Sequence, residues 1–147
     1  MAGHAIVYVA EDGTSRVVAM DVTTAGVSTS REPLIVAPGS SDEELGARVI
    51  DAVDGAGRVV EQPQSQTEWS ARTQAFVRAM GYRSHRHLMR VNSAVAVSRD
   101  GDGILVVPGE NQGIRGGYVH RPDLAIIVPS RPADVGQAIR NVVRQLT

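Results

Sequence analysis

Two stretches of this chain repeat one pattern, and that pattern narrows the fold more than any other feature. LIVAPGSSDEELGARVIDAV (Leu34 to Val53) and AIIVPSRPADVGQAIRNVV (Ala125 to Val143) match apart from a one-residue gap in the turn. Each reads as a short branched apolar run, a Pro, a Ser placed to cap, and an amphipathic helix with Gly near its first turn. In the first unit Ser41 and Glu44 form a capping-box pattern, and Asp42 and Glu43 suit the positive end of the helix dipole. Leu45, Val49, Ala52 and Val53 share one face, as do Val135, Ile139, Val142, Val143 and Leu146 in the second unit. Both apolar runs, Leu34-Ile35-Val36 among them, are expected to be buried strands. Gly46 and Gly136 each cost roughly 1 kcal/mol against Ala in a helix. They are expected to let helix pack closely on sheet.

The rest of the chain is rich in strand signals. Ala5 to Ala10 and Arg16 to Val22 flank Glu11-Asp12-Gly13-Thr14, while Ala94 to Ser98 and Ile104 to Val107 flank Asp100-Gly101-Asp102-Gly103. The Asp-Gly pairs tolerate the positive φ of hairpin turns, so each set predicts a hairpin. Val27 to Ala37 reads as extended and interrupted at Glu32-Pro33. Arg58 to Thr67 reads as a loop, Gly109 to Gly117 as a glycine-rich surface loop, and Tyr118-Val119 and Leu124 to Val128 as strands. The prediction is an α/β (α+β) sandwich: a single mixed, mainly antiparallel sheet of about five or six strands with three or four packed helices. One domain is expected to span residues 1–147.

Charge is distributed unevenly along this framework. Trp69 to Arg99 holds three of the five aromatic residues, six arginines, His85 and His87, and no Asp or Glu. The 68 residues before it carry eleven acids against Arg16, Arg31, Arg48 and Arg58, yet the net charge is only −1. Trp69, Thr73, Phe76 and Met80 fall at helical spacing, so Trp69 and Phe76 are expected in one core cluster. Gly81 ends that helix, and Ser84 can cap a short one with Leu88 and Val91 inward. The basic residues allow two readings. Arg83, Arg86 and Arg90 could grip phosphate while Tyr82 stacks a base, giving a nucleic-acid-binding or regulatory domain built on residues 72–99. A solvated helix face explains the same residues, and a nucleic-acid binder usually shows a basic excess overall. On the acidic side, Glu43, Glu44, Asp51 and Asp54 share the outer face of the first helix, with Glu61 and Glu68 following. That face is either plain solvated surface or a site for a cationic partner.

Several chemistries are excluded by composition. The chain has no Cys, and all its 15 basic Lys-or-Arg residues are Arg. Disulfides, thiolate zinc sites, Schiff-base lysines and phosphate-loop lysines are therefore ruled out. His85 and His87 diverge on a helix and lack a nearby acid, so no metal site is expected. GENQGIRGG lacks the order of a nucleotide fingerprint, and no Ser sits in a G-x-S-x-G turn. No enzyme activity, cofactor or small-molecule ligand is expected. No apolar run reaches membrane-span length, and Met1 to Ala10 lacks a secretory signal, so a cytoplasmic protein is expected.

The DEELGARVIDAV helix, the lone Trp69, GYRSHRHLMR, GILVVP (Gly103 to Pro108) and IIVPSRPADVGQAIRNVV (Ile126 to Val143) carry a resemblance. In order and spacing, from Asp42 to about Val143, they resemble a family of bacterial immunity proteins from contact-dependent growth inhibition systems. The resemblance implies a cytoplasmic, non-catalytic protein that binds and blocks the C-terminal domain of one cognate toxin, commonly a nuclease. Immunity interfaces diverge with their toxins, so no contact residue carries over. On charge alone, Glu43, Glu44, Asp51, Asp54, Glu61 and Glu68 are the expected toxin-binding residues, placed to meet a cationic phosphate groove.

Overall fold

The structure is a computed structural model and describes residues 3–146. In chain order its elements are β1 (His4–Ala10), β2 (Ser15–Thr23), β3 (Ser28–Ser30), β4 (Leu34–Val36), α1 (Asp42–Gly55), β5 (Val59–Val60), α2 (Gln66–Ala79) and α3 (His85–Val91). There follow β6 (Asn92–Asp100), β7 (Gly103–Asn111), the one-turn α4 (Gly113–Gly116), β8 (Tyr118–His120), a 3-10 turn (Pro122–Leu124), β9 (Ile126–Pro129) and α5 (Pro132–Gln145). The expected mixed, mainly antiparallel sheet is present. Its strands run β3-β2-β1-β6-β7-β8, with β4 and β5 flanking β2 and β9 flanking β7; only the short β5 pairing is parallel.

Both Asp-Gly hairpins form, with Val7 opposite Val17 and Val97 opposite Val106. The β3 and β4 segments are one strand broken by a bulge. Met20 faces Ser30 and Val17 faces Leu34, so the outer strand carries one residue more than β2 across the break. The extra residue lies in Arg31-Glu32-Pro33, where Pro33 has no N–H to give the ladder.

Alternation along the strands builds two layers. Ala5, Val7, Val17, Ala19, Val95, Val97, Ile104 and Val106 face one side and meet Leu45, Val49, Val135, Ile139 and Val142 of α1 and α5. Val18, with Tyr8 and Met20, faces the other side and meets Val77 and Met80 of α2 and Leu88 of α3. Adjacent Val17 and Val18 thus enter separate cores, as a two-residue period requires.

Several expectations change at this level. The apolar runs before α1 and α5 are edge strands, not buried ones: Ile35 and Ile127 are each 60% exposed, and only Val36 and Val128 reach the core. The second strand also starts later, because Pro122 to Leu124 forms a 3-10 turn. Ser41 caps α1 by accepting from Glu44 N, but Arg131 stands at the N-cap of α5. Ser130 instead accepts from Arg99 Nη1 at 3.0 Å. Gly109 to Gly117 is not a free loop, since β7 continues through Pro108 to Asn111 and α4 follows.

Gly46 and Gly136 bring helix onto helix rather than helix onto sheet. A Cβ on Gly46 would lie 1.7 Å from the carbonyl oxygen of Pro132, and one on Gly136 would lie 1.9 Å from that of Asp42. Each glycine touches the first residue of the other helix, so the echo in the sequence becomes a reciprocal contact. Arg140 spans the same seam, donating to the Asp42 carboxylate and, at 2.9 Å, to the carbonyl oxygen of Ser40.

Candidate functional site

The α2–α3 layer holds most of the aromatic residues and borders an aromatic-lined concavity. Ser65 and Glu68 form a capping box at the start of α2: Ser65 Oγ accepts from Glu68 N, and the Glu68 carboxylate accepts from Gln64 N. This S-x-x-E signal starts the helix at Gln66, inside the stretch expected to be a loop. Val77 and Met80 anchor α2 in the core. Gly81, at φ 93°, turns the chain, and Ser84 Oγ accepts from His87 N to start α3. On α3 the buried pair is Leu88 and Met89, whereas Val91 is only half-buried.

Between α2, α3, β1, β3 and β8 lies a cavity of about 300 Å³. Tyr8, Trp69, Phe76 and Tyr118 line it, four of the chain's five aromatic residues. Tyr8 meets Tyr118 edge-on at 6.0 Å and Phe76 at a tilt at 6.3 Å. Tyr118 Oη donates to the carbonyl oxygen of Asn92 at 2.8 Å. Burial, with Tyr8 and Tyr82 adding, pushes the Tyr118 phenol up, so it remains a neutral donor. The remaining wall includes Ser28, Thr29, Thr73, Met89, Arg72 and His85.

Trp69 is at the rim of this cavity, half-buried, with the Arg72 guanidinium 5.8 Å from its ring centroid. That corrects its expected place in the core, where Val77 stands instead. A buried aromatic truncation costs about 3–5 kcal/mol. For Trp69→Ala the expected loss is only about 1–2 kcal/mol, in keeping with partial burial. Urea denaturation would measure it, and a loss within the core range would put the ring inside after all.

The basic residues separate into paired and unpaired sets. Arg31, Arg99, Arg121, Arg131 and Arg140 all form salt bridges. Among the described residues, Arg72, Arg78, Arg83, Arg86 and Arg90 form none, and all but Arg72 are exposed. Tyr82 is already occupied: Arg16 lies 5.0 Å from its ring centroid, His87 meets it at 5.2 Å, and its hydroxyl accepts from Asn92 Nδ2. A base would have to displace these neighbours to stack there.

The six carboxylates fall in two layers. Glu43, Glu44, Asp51 and Asp54 are exposed on α1 and project within about 100° of one another around the helix. Asp54 is bound by Arg99, which donates to it through Nε and Nη2 at 2.7 and 3.0 Å. These bonds hold the Asp54 carboxyl below its ordinary range. Glu61 and Glu68 lie on the α2 side, around a groove they share with Arg72. Among the described residues no group of three or more His, Cys, Asp or Glu is placed to hold a metal ion, and no helix is long and apolar enough to cross a membrane.

One carboxylate that the sequence did not single out is buried. Asp21 accepts from Arg31 Nε and Nη2 at 3.0 and 2.6 Å and from Arg58 N at 3.0 Å. Arg31 also donates to the carbonyl oxygen of Gly55 at 2.7 Å, closing β2, the bulge and the end of α1 into one knot. The only sequence hint was an acid placed among core-facing positions of β2.

Taken together, the molecule is an α/β sandwich with an aromatic-lined concavity on one layer. No family model and no curated protein matches the chain in sequence. Its fold is shared with solved structures. A protein of unknown function from Neisseria meningitidis matches with a TM-score of 0.80 and 13% identity, covering 100% of this chain and 96% of that one. A chain of a CdiA-CT/CdiI toxin and immunity complex from Yersinia pseudotuberculosis matches with a TM-score of 0.75 and 15% identity, covering 100% and 98%.

Proposed function

We propose that this chain is the immunity member of a toxin–immunity pair of the contact-dependent growth inhibition type. It works by binding its cognate toxin domain one to one, with no chemistry of its own. The observation that carries the reading is the fold shared along the whole chain with a chain of the Yersinia toxin and immunity complex. The resemblance between Asp42 and Val143 suggested the same family, but no family model or curated protein matches in sequence, so the reading rests on the fold. Binding of this kind needs surface complementarity and a few well-packed anchors rather than a catalytic constellation. The test is co-expression with the C-terminal domain of a large secreted protein encoded beside this chain. A stable equimolar complex and rescued growth are expected. Growth arrest despite excess of this chain, with no complex on gel filtration, would end the reading.

A second reading, nucleic-acid binding through residues 72–99, is favoured by the five unpaired arginines. It requires measurable affinity for single-stranded RNA or DNA at physiological salt. It also requires that affinity to fall steeply as salt rises, because phosphate contacts release counterions. Under the immunity reading the wild-type chain shows neither.

A further inference from the structure

The aromatic cavity has a neighbour across His85. Thr73, Val77 and His85 also line a second groove of about 390 Å³ along the α2–α3 seam, whose other walls include Arg78 and Arg83. No Asp or Glu lines either space, while Arg72, Arg78, Arg83 and His85 do. Arg78 and Arg83 form no salt bridge among the described residues. The combination is one apolar pocket large enough for a single aromatic or branched side chain, adjoining a cationic trough across Thr73, Val77 and His85. Aromatic-walled pockets are where binding energy concentrates at interfaces, and unpaired rim cations select the sign of the partner.

We infer that this pair of adjoining concavities is where the toxin docks, and that its occupant is a toxin segment with one large apolar side chain flanked by carboxylates. The apolar group enters between Tyr8, Trp69, Phe76 and Tyr118, and the carboxylates lie along Arg78 and Arg83. This rests on the immunity reading and deepens it. It places the contact on the opposite layer from the acidic face of α1. That face is the competing site, because Glu43, Glu44 and Asp51 form no salt bridge among the described residues either. The cavity decides between the two: α1 presents charge alone, whereas the α2–α3 layer presents charge beside an apolar pocket.

Three variants of the full chain test the placement against the toxin domain. Thr73→Phe adds bulk at the shared wall from an exposed helix position, and should weaken binding about tenfold or more if an anchor enters there. Arg78→Glu with Arg83→Glu should slow association about tenfold at low salt, since exposed charges mainly steer encounter. Glu43→Arg, Glu44→Arg and Asp51→Arg together should leave Kd within about threefold, being on the other layer. Thermal melts show that each variant is folded. Loss of binding confined to the α1 variant, or full binding by the first two, overturns the placement while leaving immunity intact.

A toxin-free arm keeps the two ideas distinguishable. Trp69 is the only Trp, so its emission reports on the cavity rim. The hexapeptide Asp-Glu-Leu-Phe-Asp-Glu should produce a saturable change that Thr73→Phe weakens, and the same peptide with Lys at every acid should not. An equal response to the Lys peptide, or no saturable response to the acidic one, counts against the site. Tighter binding of a thymidine decanucleotide than of the acidic peptide would hand the concavity to nucleic acid instead. If wild type fails to bind the toxin at all, immunity falls, and the peptide titration alone judges the acidic–apolar specificity.

Discussion

Gly136→Ala is expected to destabilise the protein by about 3 kcal/mol, at the upper end of what overpacking costs. Gly46→Ala should do the same. The new methyl carbon would sit 1.9 or 1.7 Å from a backbone carbonyl oxygen, less than any non-bonded approach, so a main chain must shift. A flexible side chain could swing aside cheaply; the carbonyls of Asp42 and Pro132 are held in first turns of helices. Against this, Ala gains only about 1 kcal/mol over Gly in helix propensity. Packing therefore wins. For a chain of this length the loss corresponds to a drop of about 10 °C in Tm. The double variant should cost less than the sum, because one methyl group already parts the helices and relieves the second contact. Urea denaturation of the three variants measures all of this. Stability gained by either single variant would show that the seam is looser than drawn.

Asp21→Ala has the other large expected effect, a loss of about 3 kcal/mol at neutral pH, the low end for breaking a buried ion pair. The low end applies because the Arg31 side chain keeps 26% exposure while that of Asp21 keeps 5%. Removing the carboxylate strands two guanidinium donors and the N–H of Arg58 together. The pair also sets a pH dependence. Hydrogen bonds from Arg31 first, then the N–H of Arg58, hold the Asp21 carboxyl below the usual range against the opposing effect of burial. A carboxyl depressed in the folded state stabilises fully above its unfolded value, near 3.9, and that stability is lost as pH falls through the folded value. The gap between wild type and Asp21→Ala should thus be constant from about pH 7 to 5 and shrink below about pH 4. A gap independent of pH down to acid unfolding would mean that the carboxylate is not ionised in its knot.

Local signals carried the fold a long way. Ser41-x-x-Glu44, the two Asp-Gly turns and Gly81 act within a few residues, and each ended or began an element where expected. The errors share a cause: they concern what an element packs against. Leu34-Ile35 and Ile126-Ile127 have the composition of buried strands, but composition cannot reveal that both strands lie at edges. Gly46 and Gly136 were legible as close-approach positions, but not their partner, because pairing α1 with α5 depends on topology across most of the chain. Trp69 was misplaced because a helical stripe gives direction around the axis and not depth along it; α2 enters the core near Val77 and Met80, and its first turn stays outside. The cavity was not legible at all. Tyr8, Tyr118 and the pair Trp69 and Phe76 come from two strands and one helix separated widely in sequence, and only the finished sheet brings them together. The carboxylates of α1 were read correctly as one exposed face, yet the claim of Arg99 on Asp54 is a tertiary event.

The division of charge between the two helical layers has a consequence for how the molecule meets anything in solution. With a net charge of −1, it exerts almost no net pull on a distant charged body. Unpaired arginines on the α2–α3 layer and unpaired carboxylates on α1 instead give it a moment across the sheet. An approaching charged surface therefore applies a torque more than a force, turning one layer toward itself before contact. Because the Debye length is about 8 Å in physiological salt, that turning happens only in the last solvent layers, when the partners are already neighbours. In such salt the asymmetry sets which face arrives first while contributing little to how often the molecules meet; at low salt, where screening reaches further, it raises the encounter rate as well.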